Sequence, residues 1–207
     1  MIIEPDLSAI GQIVDSLGDR SSEAWSRYHE TGRGALGMAR WENHFEWRFL
    51  VEHYATCVVL DYGCGTAHSD VYLADAGFAV IGYEPNETNR RVAEYIVSIQ
   101  ERRIRDNITL IKTMPGEDYS KLIELVWINH VLEHVPKEDW QDFFKPIIFN
   151  QWKTLISVPL GRAHYVPAHV NIWNNEHELV TDLESAGLAV AWSETDTGNE
   201  VIRVEVE

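Results

Sequence analysis

The chain has 207 residues, 45% apolar and 24% charged, with 33 acidic against 17 basic side chains and a net charge of −16. That length suits a single domain with a substantial core. The negative balance lacks the clustered cations that neutralise phosphates, which argues against nucleic acid and anionic membrane and favours a cationic or neutral small molecule.

No apolar run is long enough for a transmembrane helix. MIIEPDLSAI lacks the basic start and long apolar region of a signal peptide. Cys57 and Cys64 bracket one strand, too far apart for a disulfide if the strand is extended. A reducing cytoplasm is therefore the expected compartment.

Residues 1–55 read as a helical cap. Ile10, Ile13, Val14 and Leu17 recur at helical spacing, with Gly18 after them. Ser21-Ser22 suits the cap of a short helix carrying Trp25 and Tyr28. Thr31–Gly37 is a glycine-rich loop. Trp41, Phe45 and Phe49 align on one helix face. These aromatics either pack the cap on a sheet or form a lid, with Tyr28, Arg33, Arg40 or Trp41 facing a ligand.

The core, residues 56–207, opens with VVLDYGCGTAHSDVYLADAGFAVIGYE. Val58–Leu60 is a buried strand, Asp61-Tyr62-Gly63-Cys64-Gly65 a turn, and Ala67–Ala76 a helix with Gly77 past its end. Phe78–Tyr83 is the next strand, closed by Glu84-Pro85. This is a βαβ unit, with a nucleotide-type ligand expected at the strands' carboxyl ends. The dinucleotide fingerprint needs a third glycine where His68 stands, and there is no Walker-type phosphate loop. What remains is D-x-G-x-G and a carboxylate, Glu84, able to accept both hydroxyls of a ribose.

Asn86–Arg103 reads as one amphipathic helix capped by Asn86, with Val92, Tyr95, Ile96 and Ile99 in its stripe. Ile108–Ile111 is a strand and Thr113–Tyr119 a turn. Leu125–Ile128 is a strand running into Asn129-His130-Val131-Leu132-Glu133-His134-Val135-Pro136. A helix follows from Trp140, ended or kinked by Pro146. Thr154–Val158 is a fifth strand, stopped by Pro159. After an irregular loop, Asn174-Asn175 suits the cap of a helix closed by Gly187. Leu188–Trp192 and Val201–Val206 are the last strands, and alternation in the latter implies one solvated face.

DYGCG, Glu84, NHVLEHV, and HVNIWNNEHEL followed by ESAGL stand in an order that resembles class I S-adenosylmethionine (SAM) methyltransferases of the ubiquinone-type and small-molecule group. The resemblance implies an α/β, Rossmann-like, doubly wound seven-stranded sheet, mostly parallel, with a C-terminal antiparallel hairpin and the N-terminal cap. It implies SAM as cofactor and S-adenosylhomocysteine (SAH) as product. Carried over, Asp61, Gly63, Cys64 and Gly65 line the methionine part, and Glu84, with Pro85 after it, takes the ribose. Met114 and Glu117 or Asp118 grip adenine. Asn129 and His130 lie beside the methionine and the sulfonium. Ala67 departs from the family's third glycine, and Ile123-Glu124 from the Phe-Asp that opens strand four.

Methyl transfer to a hydroxyl needs a base, and histidine is the usual one near neutral pH. His130 and His169 are the candidates. Tyr28, Arg40, Trp41, His164, His169 and Trp173 are the expected substrate contacts, with Tyr165 shaping the same pocket. His134 packs against its own turn in this reading, and His177 is solvated. HVLEH also matches the H-x-x-E-H pattern of zinc hydrolases. That chemistry needs the histidines on one helix face and a third ligand, here Glu176 or Glu178. The segment follows a strand and ends at Pro136, so no metal is expected. A SAM-binding regulator without transferase activity is the other alternative, and oligomeric state is left open.

Overall fold

The computed structural model describes residues 1–30, 36–42, 44–116, 120–162 and 168–207. The chain divides into two compact units, Met1–Gly116 and Glu117–Glu207.

In the first unit, α1 (Leu7–Leu17) is capped by Asp6, whose carboxylate accepts from Ser8 N, and is closed by Gly18 at φ 65°. α2 (Glu23–His29) starts at Ser22, whose hydroxyl accepts from Trp25 N. The helix expected to align Trp41, Phe45 and Phe49 is instead two, α3 (Met38–Trp41) and α4 (Phe45–His53). His44 takes extended backbone and starts the second, so Trp41 lies on a different helix from Phe45 and Phe49.

β1 (Val58–Tyr62), β2 (Ala79–Tyr83) and β3 (Ile108–Ile111) pair in parallel, with β2 between the other two. α5 (His68–Asp75) connects β1 to β2. The single helix expected over 86–103 is α6 (Glu87–Ser98) followed by α7 (Arg102–Arg105). Gln100 lies at the break. Its amide nitrogen donates to the carbonyls of Ile96 and Ile3, and its oxygen accepts from Ile3 N. That side chain binds the amino-terminal segment as a neighbouring strand would.

In the second unit, β4 (Leu125–Asn129) and β5 (Thr154–Pro159) are parallel. α8 (Trp140–Asn150) passes through Pro146 and is not ended by it. α9 (Glu176–Ser185) starts at Asn175, whose side chain accepts from Glu178 N. β6 (Val190–Asp196) and β7 (Val201–Val206) close the chain. The expected start of β6 at Leu188 is displaced. Gly187 is left-handed at φ 91°, and Leu188 N donates back to Leu183 O, so both residues belong to the end of α9.

The strand order is β3-β2-β1 in the first unit and β4-β5-β7-β6 in the second, where β7 is antiparallel to both neighbours. β7 is thus an interior strand, and the expected solvated face is absent. Arg203 on it is 3% exposed, its Nη1 bonded to Glu194 Oε1 at 2.6 Å and Asp196 Oδ2 at 3.2 Å. Among the described residues no helix is long and apolar enough to cross a membrane.

Candidate functional site

β1 delivers its carboxyl end into the turn at Gly63-Cys64-Gly65. Gly63 and Gly65 have φ of 101° and 56°, values that side-chain-bearing residues avoid. The amides of Gly63 and Cys64 both donate to the Tyr83 carbonyl, at 2.9 and 3.1 Å, which folds the turn against the end of β2. Ala67 is also left-handed, at φ 60°. Its conformation accounts for the glycine that the family places there.

Glu84 follows β2 and is 7% exposed. Its Oε2 accepts from Gly65 N at 3.1 Å and from Asn89 Nδ2 at 3.5 Å, and its Oε1 from Asn86 N at 2.7 Å. The carboxylate is therefore held by the glycine turn on one side and the start of α6 on the other. Burial pushes its carboxyl up to about 7, with the neighbouring Glu23 adding to the rise and the Asn86 amide opposing it. Asn89 Oδ1 also accepts from Ala24 N at 2.9 Å, which ties α2 to this corner.

Beneath the turn lie two buried acids, Asp61 and Asp70. Burial, and then the Asp70 charge, raise Asp61 well above the usual carboxylate range. Burial lifts Asp70 to about 6. Gly82 makes room for this pair, since a Cβ there would lie 2.5 Å from Asp70 Oδ2 and 2.9 Å from Cys64 Sγ. Burial also pushes the Cys64 thiol up. Cys64 is a free thiol.

His68 secures the other flank. Burial lowers its imidazole to about 3, so it is neutral. Nε2 lies 2.8 Å from the Leu36 carbonyl, which assigns the proton there and leaves Nδ1 to accept from the Thr66 hydroxyl, also at 2.8 Å. Trp41 stacks on this ring with centroids 5.0 Å apart, and the Arg27 guanidinium lies 4.6 Å from the Trp41 ring.

The first unit thus brings together Asp61, Gly63, Cys64, Gly65 and Glu84. Pro85 and Arg40 are exposed, and Met114 is half-buried. Tyr28 is buried against α1, where a Cβ on Gly11 would meet its hydroxyl at 2.0 Å. Arg33, Glu117 and Asp118 lie outside the described residues. Sequence reasoning missed Glu23, Asn89 and Asp70. All three reach the site through packing, and Glu23 and Asp70, acids in the first turns of their helices, carried a local signal. A separate cavity of about 570 Å³ is lined by Glu87, Arg90, Arg91, Leu110, Lys112 and others. None of the five converging residues lines it, so hydrogen-bond geometry and not volume marks the site.

In the second unit, β4 ends at Asn129, whose Oδ1 is buried without a hydrogen-bond partner. His130 is left-handed at φ 54°, and its amide donates to Ser157 O at 2.9 Å. A strained histidine at a strand's carboxyl end is a familiar mark of a working site. Its Nδ1 lies 3.3 Å from Oε1 of Glu133, a carboxylate only 1% exposed. His134 and His169 meet edge to face at 4.7 Å. Trp173 is buried beside Trp140 and donates its indole N–H to Asp182 Oδ2 at 2.7 Å. His164 and Tyr165 lie outside the described residues. Glu178, which with Glu176 was the third ligand that the zinc alternative would need, bonds Asn174 and Asn175 at the start of α9.

Residues 40–191 match the model of a family described as a methyltransferase domain. No curated protein sequence matches the chain significantly. The glycopeptide N-methyltransferase MtfA in complex with sinefungin is similar at a TM-score of 0.66 and 15% identity, over 95% of this chain and 96% of that one. Its complexes with SAM and SAH match as well, at a TM-score of 0.63 each. A SAM-dependent methyltransferase from Aquifex aeolicus is similar at 0.58 and 18% identity, over 97% of both chains. At these identities the likeness is one of fold.

Proposed function

Because the chain belongs to the methyltransferase domain family, we propose that this class I SAM-dependent methyltransferase passes its methyl group to an oxygen or nitrogen of a small molecule, in the cytoplasm. SAM is its cofactor and SAH its product. When bound, the cofactor supplies an electrophilic methyl on a sulfonium, and the protein supplies position and electrostatics.

One observation carries the reading: Glu84 bonds Gly65 N across the glycine turn. A buried acceptor-only carboxylate beside bare main chain suits a ribose with a polar chain attached. Asp61 and the turn's Gly63, Cys64 and Gly65 border the methionine portion in this assignment. Pro85, Met114 and Glu117 border the adenosine.

His130 is the base that takes the acceptor's proton where the acceptor is a hydroxyl, and His169 is the second candidate. A neutral amine needs little such help. Tyr28, Arg40, Trp41, His164 and Trp173 are the remaining candidates for acceptor contact. Holding the acceptor in line contributes several kcal/mol of barrier lowering in systems of this kind.

Calorimetry with SAM and with SAH tests the cofactor site, and SAH release across a panel of hydroxyl and amine acceptors tests transfer. Binding of both nucleosides and release with at least one acceptor are expected. No heat from either compound defeats the assignment of the site. Binding without release from any acceptor defeats the enzyme in favour of a SAM-binding module.

A further inference from the structure

Glu133 raises a question that methyl transfer leaves open. Its carboxylate is 1% exposed, yet among the described residues neither oxygen accepts a hydrogen bond. A charge so placed is costly unless something compensates it. Its charged-pair neighbour is His130 Nδ1 at 3.3 Å, which compensates only while that imidazole is protonated. Two further imidazoles converge on the same carboxylate. One ligand atom each from Glu133, His134 and His169 lies within 4.8 Å of the others.

The arrangement is held by main chain. Glu133 and His134 sit on the single 3-10 turn Leu132–His134. The strand-like segment that carries His169 is fastened to that turn. Val170 N and Asn171 N both donate to Glu133 O, at 2.8 and 3.1 Å. Asn171 Nδ2 donates to the carbonyls of Leu132 and Val135, at 2.9 and 2.7 Å. His134 Nδ1 lies 3.3 Å from the Ala168 carbonyl, a contact that favours the proton on Nδ1 and leaves Nε2 with the lone pair. A carbonyl behind one ring nitrogen is the usual support of a metal-binding histidine.

We propose that Glu133, His134 and His169 bind one divalent transition-metal cation. The donor set of two imidazoles and one carboxylate suits Zn²⁺, Fe²⁺ or Co²⁺ and not Mg²⁺ or Ca²⁺, which prefer oxygen. Nitrogen and oxygen ligands of a tetrahedral Zn²⁺ stand about 2.1 Å from the metal and so roughly 3.4 Å from one another, within reach by small side-chain rotations. Three protein ligands leave a position for water or a substrate oxygen, whose proton the metal would make easier to remove. The expectation of no metal, drawn from the missing helix, is set aside here. The third donor comes from His169 and not from Glu176 or Glu178. Metal binding in this proposal does not depend on SAM or on methyl transfer.

The test uses the tag-free full chain, stripped with chelator and titrated with Co²⁺ and Zn²⁺ by calorimetry and, for Co²⁺, visible absorption. The wild type should bind ~1 equivalent with a raised melting temperature. Glu133→Gln, His134→Ala and His169→Ala should each weaken binding by at least tenfold. His134 is exposed, so its variant folds and keeps the result readable even if Glu133→Gln does not. His177→Ala, on the exposed face of α9, should leave binding unchanged. Absence of stoichiometric binding by the wild type overturns the proposal. So does binding that survives all three substitutions, or Mg²⁺ binding as tight as Co²⁺.

Discussion

The two units build their chemistry in opposite ways. In Met1–Gly116 most of the candidate atoms are main chain: the amides of Gly65 and Asn86 bond the Glu84 carboxylate, and those of Gly63 and Cys64 bond the Tyr83 carbonyl. In Glu117–Glu207 they are side chains: His130, Glu133, His134 and His169, brought together by a tight turn and a distant segment. The first design places a ligand through backbone shape, so few substitutions can touch it. The second depends on what each ring or carboxylate can donate, so every member is open to mutation.

The largest expected effect tests the one side chain on which the first unit relies. Glu84→Ala removes two charge-assisted contacts to the ribose, at about 1.5–3 kcal/mol each. SAM affinity by calorimetry should fall at least about a hundredfold, with folding of the variant checked by thermal unfolding. Unchanged affinity would break the contrast between the units.

His130→Asn tests the second unit. Asn also tolerates the left-handed backbone of that position, so the fold is kept. For a hydroxyl acceptor, kcat should drop by about a hundredfold with SAM affinity within a factor of two. Equal losses in both would mean the histidine serves the cofactor.

Gly82→Ala asks how much the first unit depends on absent side chains. The new Cβ would lie 2.5 Å from Asp70 Oδ2 and 2.8 Å from Leu110 Cδ2. Overpacking of this kind costs about 1–3 kcal/mol, or a melting point lower by roughly 2–4 °C per kcal/mol for a chain of this size.

pH separates the units more finely. The carboxyl of Glu84 sits up at about 7 against an ordinary 4.5, so the folded protein free of cofactor holds that proton more tightly than the unfolded chain does. Its share of stability therefore declines as pH rises through that window. Ribose hydroxyls favour the ionised form, so SAM affinity should improve by up to about tenfold between pH 6 and pH 8. Glu84→Gln should remove that slope, and a slope that persists assigns it to another group.

The smallest effect compares two helix caps. Asn86→Ala and Asn175→Ala each lose a cap worth about 1 kcal/mol in thermal unfolding. Only the first should also weaken SAM, since the Asn86 side chain accepts from Asn89 N and so fixes the turn whose Asn89 side chain donates to Glu84.

The contrast also explains what could be read from the residues alone. The glycine turn and Glu84 were legible because glycine in a tight turn and an acid after a strand are local signals. The helix caps Ser22, Asn86 and Asn175 were legible for the same reason. Gln100 was not, because the break in its helix follows from a reach to Ile3 at the far end of the unit. The burial of Arg203 was not, because it depends on strand order, which no alternation pattern contains. Glu133 and His134 stand together in one motif, but His169 is remote in sequence and meets them through the bonds of Val170 and Asn171 to their turn.

Arg203 has a consequence for behaviour in concentrated solution. β6 is the outermost strand, and an outermost strand exposes a row of unused amides and carbonyls on which another chain can lay itself. The guanidinium beneath it grips Glu194 and Asp196 and keeps that strand clamped to its neighbour. A chain deprived of that cation would leave two acids repelling each other on a loosened border, and fibrous self-association would follow.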